Sequence, residues 1–254
     1  MLRNIAGDLY QVGECVSGAA GHEAVCVYVL LNGGHPLLID CGSQLHRAGV
    51  MPALGALLAG QAPEAIFLTH SELPHAGNLA QVARQWPHIQ VIVSNILLPY
   101  IEIAPVLPLE QITTATPGST LEIAGRRLRL VEAVLKDQPG SQWLWDSQTG
   151  ALFTGDGFGY THAPALCQRF NDEIEGGVTV EQFQHYHRAA FRFLRWVVAG
   201  RLNADLGRLF QRFPVRILAP IHGNAIRGDI ATHVARVQQA IVNLCAANAA
   251  EAAA

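Results

Sequence analysis

Two spacings of apolar residues alternate along this chain and lay out its elements. Short, mostly apolar stretches, which read as strands, cover residues 9–12, 25–31, 36–40, 66–68, 91–94 and 215–219. Residues 127–134 read as a strand that opens on alternation, Leu128 and Leu130 against Arg127 and Arg129. With residues 121–123 across Ala124-Gly125, this stretch predicts a hairpin. A second hairpin joins residues 142–145 to 151–154 across Asp146-Ser147-Gln148-Thr149-Gly150, and Trp143 and Trp145 share one of its faces. Helical spacing takes over elsewhere. Residues 46–60 are rich in Leu and Ala, and Leu79, Val82, Ala83 and Trp86 form one stripe. Thr179 with Gln182 predicts a capping box, opening a helix striped by Phe183, Tyr186, Ala190, Leu194 and Val197. Residues 202–213 predict another helix. Ile230, Val234, Val237, Ile241 and Leu244 predict the last. The Pro-containing stretch 99–108 reads as a connection.

Each half of the chain runs strands first and helices afterwards, which suits two sheets packed between outer helices. No linker, charge run or low-complexity segment interrupts the interior. The expectation is an α/β layered sandwich, one domain over residues 1–246, with an alanine-rich tail, 247–254, that frays.

Composition narrows the function classes. Of the 254 residues, 50% are apolar, enough for a sizeable core, and the formal charge of −3 argues against nucleic acid or an anionic membrane as partner. The longest apolar run, residues 25–31, falls far short of the ~18 residues of a spanning helix. The N-terminus lacks the basic and apolar regions of a signal peptide. Five cysteines, odd in number, spread out and without a CxxC pair, read as small buried hydrophobes in a reducing compartment. A cytoplasmic protein is the expectation.

Candidate chemistry sits where strands end. The run Ile66-Phe67-Leu68 delivers Thr69-His70-Ser71-Glu72-Leu73-Pro74-His75, placing two imidazoles and a carboxylate on one short loop. Residues 151–154 deliver Gly155-Asp156-Gly157, and residues 215–219 deliver Pro220-Ile221-His222-Gly223. If these strands are neighbours, the three loops meet at one edge of the sandwich. Asp156, with two oxygens, can serve two ions at once. A lone His or Glu after a strand is more often a surface or capping residue; the ordered set at three strand ends is what points to metal.

The same residues carry a family likeness. The chain resembles the metallo-β-lactamase superfamily, whose signature is T-H-x-H-x-D-H, then a later His, a Gly-Asp and a final His. Within it the chain is most similar to the flavodiiron and oxygen-binding diiron branch, in which Glu replaces the second His. Thr69-His70-Ser71-Glu72, His75-Ala76-Gly77-Asn78, Leu152-Phe153-Thr154-Gly155-Asp156-Gly157-Phe158-Gly159, Phe170-Asn171-Asp172-Glu173 and Ala219-Pro220-Ile221-His222-Gly223 with Arg227 match that branch in order and spacing. The resemblance implies an αββα sandwich with two metal ions. Its first site would be His70, Glu72 and Asp156, to which alignment by Pro139-Gly140-Ser141 adds Asp137. Its second would be His75, Asp156 and His222. Asp40 matches an acid after an early strand and, with His162, would orient ligands from outside the coordination sphere. His22, expected in a loop facing the site, and Tyr160 stand as candidate proton donors.

Two departures matter. Pro74 occupies the motif's Asp position, and Asp137 falls at the later His. Three carboxylates, Glu72, Asp156 and Asp137, set three negative charges against the four of two divalent ions. That donor set favours iron or manganese over zinc. The resemblance therefore implies a diiron-type protein that binds or reduces O2 or NO. Since no glycine- or hydroxyl-rich phosphate loop is present, it has no flavin site, and electrons would come from a flavodoxin- or rubredoxin-like donor or a flavin protein. Family members pair head to tail, which implies a homodimer. The alternatives are a zinc- or manganese-dependent hydrolase and a binding or sensor module with an impaired site.

Overall fold

A strand that is apolar at every position needs apolar neighbours on both faces, and the run beginning at Val25 has them. The computed structural model describes residues 1–18, 21–101 and 107–252, with side chains to residue 247. In it Cys26, Tyr28 and Leu30 point into a core shared with Leu128, Leu144 and Phe153, while Val27 and Val29 join Val50, Leu54 and Val82 on the opposite face. Fully burying a side chain such as Leu144 or Phe153 stabilises by ~1.5–3 kcal/mol, so this double-sided burial dominates the stability of the sheet.

The first sheet has seven strands in chain order: β1 (Leu2–Ala6), β2 (Leu9–Gly18), β3 (Gly21–Leu30), β4 (Leu37–Ile39), β5 (Ala65–Phe67), β6 (Gln90–Ser94) and β7 (Ile112–Ala115). Strands β1 to β4 pair antiparallel and β4 to β7 parallel. The second sheet holds β8 (Thr120–Ile123), β9 (Arg126–Glu132), β10 (Gln142–Asp146), β11 (Ala151–Gly155), β12 (Ile217–Pro220) and β13 (Ile226–Arg227), ordered β13-β12-β11-β10-β9-β8. Only β11 and β12 run parallel there.

Helices α1 (Arg47–Leu58), α2 (Leu73–Ala76) and α3 (Leu79–Gln85) belong to the first half of the chain, and α1 and α3 cover the outer face of the first sheet. Helices α4 (Val180–Ala190), α5 (Ala199–Arg212) and α6 (Ile230–Ala252) cover the second sheet through Phe183, Leu206, Leu209, Val237 and Ile241. The result is the expected αββα sandwich. Parallel β4 and β5 in one sheet, and β11 and β12 in the other, bring their carboxyl ends to one edge. No helix among the described residues is long and apolar enough to cross a membrane.

Several local expectations change. The Phe183–Val197 stripe is not one helix: α4 stops at Ala190, and a 3-10 turn, Arg192–Arg195, carries Leu194 inward. The Thr179–Gln182 capping box is present, with Gln182 N donating to Thr179 Oγ1 at 3.3 Å. His22 lies in β3 rather than in a loop. Strand β7 and the short pairings of β1 and β13 were not foreseen. Of the connection at 99–108, residues 102–106 lie outside the described residues. Helix α6 runs through most of the alanine-rich segment expected to fray; residues 253–254 lie outside the description. The cysteines are not all reduced: Cys15 and Cys167 form a disulfide, while Cys26 and Cys41 are buried free thiols.

Candidate metal centre

The loop after β5 is folded by its own sequence. Glu72 caps α2, accepting at its carbonyl from His75 N at 3.0 Å and Ala76 N at 2.9 Å. Pro74 sits in the first turn of α2, where its missing N–H would have no helical partner and its fixed φ is preorganised. The proline that displaces the motif's Asp thus builds the turn that aims His75 inward. Cys41 N then donates to His75 O at 2.7 Å, tying α2 to the end of β4.

From the opposite sheet, β11 ends at Gly155, at φ +55, where a Cβ would come within 3.1 Å of Thr69 Oγ1. Glycine here lets the loop that carries Asp156 approach the loop that carries His70. Ile221 N donates to Gly155 O within the second sheet, and Gln142 N donates to Thr69 O, locking the second sheet to the loop of the first.

The ligand atoms converge on one oxygen. Asp156 Oδ1 lies 2.9 Å from His75 Nε2, 3.6 Å from His222 Nε2 and 3.8 Å from His70 Nε2. His70 Nε2 also lies 3.2 Å from Asp137 Oδ2 and 3.9 Å from Glu72 Oε2. Ligand atoms of His70, Glu72, Asp137 and Asp156 fall within 4.8 Å of one another, as do those of His70, His75 and Asp156. His70 is fully buried, yet among the described residues neither ring nitrogen has a hydrogen-bond partner, and Asp137 Oδ2 is equally orphaned. Buried polar atoms without partners are costly, and a cation between these two would satisfy both. The donor set fits two metal ions.

Charges agree with that geometry. Burial alone would raise the Asp156 carboxyl, but His222, His75 and His70 hold it well below the usual carboxylate range. Burial pushes the Asp137 carboxyl up. Burial would likewise lower His75, yet Asp40 and Asp156 outweigh it and raise the metal-free imidazole to about 10. His222 is raised by Asp156 and Glu23 against its burial, and half-exposed Glu72 is lowered by His70.

Carboxylates behind the ligands set the tautomers. Asp40 Oδ2 lies 2.8 Å from His75 Nδ1, while Thr69 donates to Asp40 through its backbone N–H and its hydroxyl at 2.7 and 2.6 Å. With Nδ1 held on Asp40, Nε2 is the nitrogen that faces Asp156, and it can give its lone pair to a metal once the ion displaces its proton. Glu23 Oε1 stands 3.4 Å from His222 Nδ1, a charge contact without hydrogen-bond geometry. Tyr186 stacks on His222, with centroids 5.2 Å apart and planes at 26°, and burial beside Asp156 keeps its phenol protonated well above the ordinary range. Neither Glu23 nor Tyr186 stood out in the sequence. Glu23 opens an apolar strand, and Tyr186 falls on a core stripe.

The other expected residues lie apart from this cluster. Tyr160 is fully buried, its hydroxyl donating to Asn224 O at 3.2 Å and accepting from Asn224 N at 3.1 Å. His22 and His162 turn their side chains to Cys167 and Cys15. Arg227 and the acidic segment clamp a ring: Arg3 and Arg227 each lie 4.3 Å over Phe170, with Arg227 paired to Asp172 and Arg3 to Glu173. An open cleft of about 870 Å³ leads to the centre, lined among others by Glu23, Glu72, Asp137, Asp156, Tyr186 and His222.

Known proteins share this fold. The chain is 28% identical over 177 residues to the type A flavoprotein of Rhodobacter capsulatus, a match covering 68% of this chain and 39% of that protein. The first curated relatives are likewise matched over only 38% of their length. Among solved structures, the flavodiiron protein from Giardia intestinalis superposes with a TM-score of 0.79 at 17% identity, over 95% of this chain and 59% of that one. The rubredoxin oxygen:oxidoreductase from Desulfovibrio gigas gives 0.78 at 17% identity, over 98% and 61%. The sequence profile described as Metallo-beta-lactamase superfamily matches residues 21–166, the stretch that supplies Asp40, His70, Glu72, His75, Asp137 and Asp156. On that match the chain belongs to the metallo-beta-lactamase superfamily.

Proposed function

We propose that this centre holds two iron ions and that the protein reduces O2 or NO with electrons from an external donor. The observation that carries the reading is the carboxylate count: Glu72, Asp137 and Asp156 surround His70, where a zinc hydrolase would favour imidazole. Bound iron would supply the electron transfer and the open coordination positions for a diatomic gas. His70, Glu72, Asp137 and Asp156 would hold one ion, and His75, Asp156 and His222 the other.

The chain's own residues then have defined tasks. Asp40 keeps the Nδ1 proton of His75 in place, Glu23 sets a negative charge beside His222 Nδ1, and both Nε2 atoms face Asp156. Tyr186, protonated and lining the cleft, is the group that offers a proton or hydrogen bond to the reacting gas. In this reading it takes the task first given to Tyr160 and His22, because the Tyr160 hydroxyl is already satisfied at Asn224.

The names of the relatives supply the rest of the proposal. They include flavodiiron proteins and a rubredoxin oxygen:oxidoreductase. A flavodoxin- or rubredoxin-like partner, or a separate flavin protein, is therefore the proposed donor, with a homodimer in the cytoplasm as the working state.

Metal analysis is the test. Iron near two equivalents, with a ferric absorption that bleaches on reduction and returns with O2 or NO, supports the reading. Zinc accompanied by hydrolysis of an ester, thioester or phosphodiester would sink it. Glu72→His should move metal preference toward zinc and abolish reactivity with O2; unchanged reactivity would remove Glu72 from the ligand set.

A further inference from the structure

A second group of metal-ligating side chains lies on the far end of the β2–β3 ribbon. Cys15 Sγ, His22 Nδ1 and Cys167 Sγ fall within 4.8 Å of one another. His22 Nδ1 stands 3.3 Å from Cys167 Sγ, and His162 Nε2 stands 3.1 Å from Cys15 Sγ. Three segments of chain bring the four residues together. Cys15 pairs with Ala24 across β2 and β3, so His22, two positions away, shares its face of the ribbon as a diagonal neighbour. His22 and His162 form a two-way backbone bridge, N to O at 2.9 and 2.7 Å. Asn224 Nδ2 donates to Cys167 O at 3.2 Å and fixes the third segment.

We propose that Cys15, His22, His162 and Cys167 form a second metal site, a Cys2His2 set that takes zinc when its two sulfurs are reduced. Two thiolates and two imidazoles are the donors of closed, four-coordinate zinc sites. The two thiolate charges neutralise the ion, and four protein ligands leave no position for substrate. The site is therefore structural or regulatory rather than catalytic. A disulfide alone needs only the two cysteines. It gives no reason for two imidazole nitrogens to be aimed at the two sulfurs, one of them on buried His162.

The disulfide is the metal-free, oxidised form of the same site. Two electrons and two protons from a dithiol reductant, itself oxidised to a disulfide, convert the Cys15–Cys167 bond to two thiols. Zinc binding then displaces both thiol protons. The site also touches the first centre through the backbone: Glu23, next to His22, reaches His222, and Asn224, which holds Cys167, follows the His222 loop.

Cobalt is the probe. The first centre has no sulfur ligand, so thiolate-to-cobalt charge transfer reports the second site alone. Protein reduced with dithiothreitol and freed of it by anaerobic gel filtration should develop that near-ultraviolet band, with the visible bands of tetrahedral cobalt, up to one equivalent, and zinc should displace it. Oxidised protein should lack the band. Cys15→Ser and Cys167→Ser should lose it, and His22→Ala should shift the visible bands. Reduced wild type without the band overturns the proposal. So does a band that survives in the double Cys15→Ser/Cys167→Ser variant, because it would arise from Cys26, Cys41 or Cys245. If the serine variants fold poorly, the comparison of reduced with oxidised wild type decides alone.

Discussion

His70 and Asp137 meet across the two sheets of the sandwich, Nε2 to Oδ2 at 3.2 Å, and neither atom has another hydrogen-bond partner. One comes from the loop after β5, the other from the loop after β9. Burial raises the Asp137 carboxyl, a cost that a bound cation would reverse. Asp137→Asn keeps the shape and removes the charge. It should lower metal affinity of the His70 site by at least ~10–100-fold, the cost of losing even an outer partner of a metal ligand. Chelator competition followed by metal analysis measures it. Unchanged affinity would make Asp137 a turn residue, held by Ser141 Oγ at 3.1 Å.

Much of this was legible in the chain because buried parallel strands leave an unmistakable apolar run. The three-residue strands β4 and β5 announce themselves that way, and the ligand loops follow them directly. Strands β1 and β7 lie at the edges of their sheet with two of five and two of four residues exposed, and β13 is two residues long, so none leaves a pattern. The stripe from Phe183 to Val197 hid the break after Ala190, since the 3-10 turn keeps Leu194 in phase with the helix. Long-range meetings were invisible for a different reason. Cys15 and Cys167 are 152 residues apart, and the bridge between His22 and His162 brings their segments together. The same holds for Glu23 with His222. Pro74 was readable only as a lost ligand; its place in the first turn of α2 needed coordinates.

Asp40 offers a cleaner test of positioning. Its backbone sits at φ +58, a conformation Asn tolerates as well as Asp, so Asp40→Asn does not strain the turn. The amide presents a donor where His75 Nδ1–H needs an acceptor, which drives the ring to the other tautomer. Metal affinity at the His75–Asp156–His222 site should fall ~10–100-fold with the fold intact. Circular dichroism checks the fold and chelator competition the affinity; an unaffected site would mean that Thr69 alone orients the ring.

The metal-free protein should lose stability as pH rises. His75 is raised from its ordinary value to about 10, so its imidazolium, held by Asp40 and Asp156, stabilises the folded chain fully below ~6.5. That contribution fades as pH climbs through about 10. With metal bound, Nε2 carries the ion instead of the proton and the dependence disappears. Melting temperature measured from pH 6 to 10, with and without a chelator, should show the slope only in the stripped protein. Parallel curves would contradict the assignment of His75 as a ligand.

A buried ion pair holds the opposite end of the second sheet. Arg126 is buried and grips Asp146 with two nitrogens, at 3.1 and 2.5 Å, and reaches Asp8 at 2.6 Å in the turn between β1 and β2. Asp146 also accepts from Gln148 N and Thr149 N, closing the turn into β11. Strand β10 begins beside the metal centre, where Gln142 N meets Thr69 O, and ends at this pair. The two sites therefore lie at opposite ends of one strand. Asp146→Asn leaves a buried guanidinium with only the half-buried Asp8 to balance it. Removing one partner of a buried pair costs about 3–5 kcal/mol, and the remaining Asp8 contact places the expected loss near the lower figure. Urea denaturation should show that loss while metal content per folded chain stays at the wild-type level. A fall in metal content without a fall in stability would reverse the assignment, making the pair part of the site rather than a clamp between the sheets.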